Sequence, residues 1–102
     1  MTEAAAWLLE HAGRAPAVLL REMTAALPAT ASSIPDALAE AATALYAEVA
    51  RGSGGRADAL PLLAADALFT HAFQAQAQLD PNGLAALAAH YGAAGRLREV
   101  AS

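Results

Sequence analysis

The stretch LPLLAADALFTHAFQAQAQ, residues 60–78, holds no glycine, one early proline and a single acid, Asp66. Leucine and alanine dominate it, Thr70 is its only β-branched residue, and both facts favour a helix over a strand. Asp58 stands ready to cap such a helix, with Pro61 in the first turn where a missing N–H costs little. DPNG, residues 80–83, stops it and restarts the chain, with Asp80 as the next cap and Pro81 at the first position. At about 100° per residue, Asp66 falls among Leu62, Phe69, Phe73 and Ala77, near the centre of the apolar arc. A carboxylate buried there requires a partner, and the candidates are Thr70 one turn on or an arginine from another helix. The first expectation is therefore a buried, structural Asp66 that ties helices together. A functional pocket at Asp66 is the second, and partial exposure the third.

The remainder of the chain extends the same pattern. Thr2 caps a first helix that Gly13 ends, and Ala4, Trp7, Leu8 and His11 share one of its faces. A second helix opens near Pro16, carries Leu19, Leu20, Met23 and Leu27, and stops at Pro28. After the loop PATASS comes SIPD, in which Ser33 and Asp36 have capping-box spacing and Pro35 sits in the first turn. The third helix then lines up Ile34, Leu38, Ala41, Leu45 and Val49, the stripe of a half-buried helix. RGSGG, residues 51–55, is the flexible link, short enough to make the helices on either side an antiparallel pair. Leu84, Leu87, Ala88 and Tyr91 form a fifth helix ending at Gly92, and AAGRLREVAS is left either to form a further short helix or to trail away. The expected fold is all-α, a single-domain bundle of about five helices with the third and fourth as its central antiparallel pair.

Composition narrows the function. The 102 residues are 57% hydrophobic and 16% charged, unlike a disordered chain. Fifteen leucines and a large alanine share must build the core. Six arginines, no lysine and a net charge of −4 leave no basic stripe for phosphates, so nucleic-acid binding is not expected. The arginine-only basic set alongside so much alanine fits a GC-rich coding bias. Cysteine is absent, which removes thiolate chemistry and zinc–thiolate sites. The start MTEAAAWLLEHAGR has an acid where a secretion signal carries basic residues, and no apolar run approaches the ~20 residues that span a bilayer. A cytoplasmic protein without a membrane segment is the expectation.

No chemistry-bearing constellation emerges. Nucleophile elbow, P-loop and dinucleotide fingerprint are absent, and GSGGR follows a helix rather than a strand. His11 sits near a helix C-terminus, where a cation is favoured, and reads as a capping or packing residue; His90, before Tyr91, reads the same way. His71, beside Gln74 and Gln78, belongs to a solvated face or a wet contact. No histidine has a ligand-type residue at i+3 or i+4, so neither a metal nor a cofactor is expected.

LLAADALFTHAF, residues 62–73, resembles the helix of the trans-polyprenyl diphosphate synthases that commonly reads L-A-G-D-x-L-x-x-x-A-F. Asp66, Leu68, Ala72 and Phe73 match in place, and Ala65 stands where that family prefers glycine. LAALAAHYGAAG, residues 84–95, is similar to a later L-A-x-x-x-G-x-x-G segment of the same enzymes. ALAEAATALYAEV is loosely similar to the helix before their first aspartate-rich motif. The likeness covers about residues 37–96. Those enzymes hold magnesium and diphosphate through two D-D-x-x-D motifs, and this chain has neither; ARGSGGRAD stands where the first would fall. The resemblance thus implies a reduced, non-catalytic relative, a stand-alone bundle or an accessory subunit, without prenyl transfer or magnesium–diphosphate binding. It also implies a tightly packed helix at Asp66.

Two function classes follow. One is a non-enzymatic interaction module, a homo-oligomer or a subunit bound to a protein partner; an apolar share above what one small core needs points to oligomerisation. The other is a small apolar-ligand site in the bundle, lined by Trp7, Phe69 and Phe73 with Asp66 and Thr70 as polar handles and His11 nearby. A pocket facing Asp66 would favour the second. An exposed apolar helix face would favour the first.

Overall fold

The computed structural model describes residues 1–92, and the segment AAGRLREVAS, expected either to form a further short helix or to trail away, lies outside the described residues. Five α-helices follow one another: α1 (Glu3–Ala12), α2 (Ala17–Ala25), α3 (Ile34–Ala50), α4 (Ala59–Leu79) and α5 (Leu84–Tyr91). Single 3-10 turns, Arg56–Asp58 and Pro81–Gly83, lead into α4 and α5. Among the described residues there is no strand, and no helix is long and apolar enough to cross a membrane.

Local chemistry sets most of the boundaries. Thr2 Oγ1 accepts the Ala5 N–H at 3.1 Å, satisfying a donor that the first turn of α1 would leave orphaned. Ser33 Oγ accepts the Asp36 N–H at 3.2 Å, starting α3. The Asp36 carboxylate in turn accepts the hydroxyls of Ser32 at 2.6 Å and Ser33 at 3.0 Å, and that of Tyr91 at 3.3 Å. One acid thereby fastens the α2–α3 loop and the end of α5 to the start of α3. The Ser32 hydroxyl, foremost, holds the Asp36 carboxyl below its ordinary 3.8, against the opposing effect of burial; Ser33, Tyr91 and the nearby His90 charge act in the same direction as Ser32. Asp58 departs from expectation. It occupies the capping position of α4, but its side chain makes no cap bond and accepts the Gly54 N–H at 2.8 Å instead. The linker curls onto that carboxylate: Gly54 has φ +77°, and a Cβ at Gly52 would collide with Asp58.

α3 and α4 form the centre. Ile34 and Pro35 at the start of α3 border the same cleft as Ala75 and Leu79 at the end of α4, and Tyr46 meets Asp66, so the two run antiparallel. The side of α4 against α3 carries Pro61, Ala64, Ala65, Leu68, Ala72 and Ala75, all buried. The facing side of α3 includes Leu38, Ala41, Ala42 and Leu45. Four of the six α4 residues are alanines, so the contact is a seam of small side chains with leucines set into it. Leu8, Ala12 and Met23 from α1 and α2, with Leu87 and Tyr91 from α5, complete the core around it.

This seam displaces the apolar arc expected from the sequence. Leu62, Phe69, Phe73 and Ala77 do not mark the buried centre of α4. Leu62 is 41% and Leu63 55% exposed, Phe69 and Phe73 are half-buried, and Ala77 and Asp66 are exposed. The buried axis runs through Ala65, Leu68 and Ala72, where small side chains let α4 pack closely against α3.

The seam's tolerance is measurable. Ala65→Leu forces extra carbons into a site that is fully buried, which costs roughly 1–3 kcal/mol. Each kcal/mol lowers Tm by about 4–8 °C in a domain of this size. Leu63→Ala on the outer side stays within ~0.5 kcal/mol of the parent. Thermal denaturation followed by circular dichroism checks the order of the two, and a reversed order refutes the seam.

Candidate functional site

The six residues that the sequence singles out fall into two groups. Asp66, Phe69, Thr70 and Phe73 lie on the flank and back of α4. Trp7 and His11 lie on α1 and meet a different part of α4.

The first group is organised by Tyr46, a residue whose importance the sequence did not advertise. Its phenol donates to Asp66 Oδ1, and its ring tilts against Phe69 with centroids 5.5 Å apart. Asp66 is thus exposed rather than buried, and its partner is neither of those expected. Thr70 Oγ1 donates to the Asp66 backbone carbonyl at 3.1 Å instead of the carboxylate. No arginine among the described residues pairs with it. Burial, foremost, then the hydrogen bond to Asp66 and that group's negative charge, push the Tyr46 phenol up from 10.0 to about 12. Beside this polar pair lie Leu62 and Leu63, two large apolar side chains exposed on the same helix. The outer side of α4 is therefore an apolar surface with one tethered carboxylate in it.

The second group is aromatic. His11 stacks on Trp7 with centroids 4.0 Å apart and planes within 14°. Its Nδ1–H donates to the Trp7 carbonyl oxygen at 2.9 Å, one turn back, which fixes the ring orientation. From α4, His71 approaches the Trp7 ring edge-on at 5.9 Å, and Gln78 Oε1 accepts the indole N–H at 3.2 Å. His71 Nδ1 also bonds Gln74 Oε1 at 2.9 Å. His71 is half-buried against this cluster, with Gln74 and Gln78 forming its polar rim. A cleft of about 450 Å³ opens beside Trp7, bounded by Glu3, Ser33, Ile34, Pro35 and Leu79 among others. None of Asp66, Phe69 or Phe73 lines it.

His90 packs edge-on against Tyr91 with centroids 4.6 Å apart, at the far end of α5. His11 and His71 thus share the Trp7 cluster, and His90 sits apart from it. Among the described residues no three His, Asp or Glu side chains gather as a metal ion would require. Comparison with protein-family models, curated proteins and solved structures found no match to this chain.

The Tyr46–Asp66 pair makes stability depend on alkaline pH. The folded phenol's value lies above its unfolded one, so the pair's contribution is complete below pH 10.0 and fades as pH rises towards about 12. Asp66→Asn removes the negative charge but not the burial. The Tyr46 transition, obtained as the ultraviolet difference titration between the parent and Tyr46→Phe, accordingly moves part of the way back towards 10.0 in that variant. An unchanged transition shows that the carboxylate does not act on the phenol.

Proposed function

We propose that this chain is a non-enzymatic helical interaction module that docks a protein partner on the outer side of α4. The exposure of Leu62 and Leu63, next to the half-buried rings of Phe69 and Phe73, is the observation that carries this reading. A helix that carries large apolar side chains on the side away from its neighbours offers surface for a further contact. α4 has α3 on one side, while the leucines opposite remain in contact with water. Neighbouring exposed apolar side chains rimmed by polar ones are the form that protein contact sites take. The role accords with an accessory subunit or self-associating bundle working in the cytoplasm.

A small apolar ligand is the second reading, favoured by the cleft beside Trp7 and moved there from the Asp66 flank. Trp7 is the only tryptophan, so its fluorescence would report such a ligand directly.

A photo-reactive phenylalanine analogue placed at Leu63, and in a second variant at the exposed Ala6 of α1, tests the interaction role in the cells that produce the protein. Irradiation is expected to join the chain at position 63 to one discrete protein, a second copy or another, with position 6 silent. Cross-links from position 6 alone, or from neither position, overturn the assignment of α4 as the docking side.

A further inference from the structure

We infer that the partner presents an amphipathic helix with an arginine or lysine set opposite Asp66 in an otherwise apolar stripe. This rests on the docking reading above and names the chemistry that reading leaves open. Asp66 is the only charged side chain of α4, and it stands among Leu62, Leu63, Phe69 and Phe73. Covering those residues also covers the carboxylate. An ionised group stripped of water needs donors, and the described residues supply one: Tyr46, on Oδ1. The second oxygen takes no bond from any other described residue. An apolar partner would leave that oxygen unpaired, which disfavours the complex.

A second copy is the poorer fit. Pairing outer side with outer side in antiparallel fashion brings another carboxylate towards the first, and neither α4 stripe offers a cation. The chain's net charge of −4 adds like-charge repulsion. A guanidinium or ammonium meets the requirement: it donates to the free oxygen and neutralises the charge. Tyr46 then has a positioning role, since its phenol holds one oxygen and leaves the other for the partner.

The geometry of the stripe calls for a helix. Leu62, Leu63, Asp66, Phe69 and Phe73 recur at helical spacing along roughly three turns of α4, about 17 Å at ~1.5 Å per residue. A partner helix laid along it would place apolar anchors at i, i+3, i+4 and i+7, with the cation near the middle. Discrimination then resides in one position: the leucines give affinity to any apolar helix, and Asp66 selects the cationic one.

A displayed library of amphipathic helices, each with a fixed leucine stripe and one randomised central position, tests this with the full-length protein. It is panned against the parent, Asp66→Asn and Leu63→Glu, each first shown to melt like the parent. Arginine and lysine are expected to be enriched ~10-fold or more over the input on the parent, as a charge-assisted hydrogen bond implies. That enrichment should vanish on Asp66→Asn while binders persist, and Leu63→Glu should retain none. Enrichment of uncharged or acidic residues on the parent, or cation enrichment that survives Asp66→Asn, overturns the inference and leaves the docking side intact. Binders indifferent to Leu63→Glu, or no binders at all, overturn the docking side itself. Self-association of the parent in sedimentation velocity, abolished by Leu63→Glu, assigns the surface to a second copy and overturns the cationic partner.

Discussion

Close approach of α3 and α4 along a seam of alanines is the constraint on which the rest of the structure depends. Ala64, Ala65, Ala72 and Ala75 of α4 are buried against α3, which contributes Ala41 and Ala42 beside Leu38 and Leu45. A small side chain loses little rotamer freedom on burial and lets two helix backbones come near, so dispersion contacts accumulate along the full length of the pair. The alternative, with Leu62, Phe69 and Phe73 turned inward, would hold the helices apart and leave the alanines outside. The shorter helices α1, α2 and α5 then pack against this pair and leave the outer side of α4 uncovered, with Leu8, Met23, Leu87 and Tyr91 as their anchors.

The seam also decides what the surface can do. Turning the alanines of α4 inward necessarily turns its larger residues to the flank and the back. Leu62 and Leu63 meet water, Phe69 leans on Tyr46, and Asp66 is held by the Tyr46 phenol. On the other flank, Trp7 is fixed between His11 and His71 with its indole N–H on Gln78. One side of α4 thus carries an apolar surface with a tethered charge, and the other an aromatic cluster beside a cleft. The interaction role proposed above rests on the first, where Leu62 and Leu63 lie exposed beside the tethered charge.

Helix positions were legible in the sequence because their signals are local. Thr2 and Ser33 cap the helices they were expected to cap, and Pro16, Pro81 and Gly92 mark boundaries. The antiparallel α3–α4 pair followed from the short glycine-rich link. The facing of α4 was not legible, for a physical reason. Its apolar residues surround the helix, so the large side chains dominate any arc drawn by eye, although packing favours the small ones. Asp66 was consequently placed inside when it lies outside. Its partner Tyr46 was missed because the contact depends on the register between two helices, which no local pattern encodes. Asp58 shows the same limit on a smaller scale: its position suits a cap, but the glycines of the linker offer a nearer donor.

Native-state thiol accessibility tests the facing of α4 most directly, because the chain contains no cysteine to interfere. Single cysteines at positions 63, 65, 66 and 72 are to be labelled with a maleimide in folded protein, and each rate compared with that of the same variant unfolded. The account predicts that Leu63→Cys and Asp66→Cys react at close to their unfolded rates, whereas Ala65→Cys and Ala72→Cys are strongly protected. Protection of position 66 together with free reaction at 65 would contradict it, placing Asp66 in the core and the alanines in water.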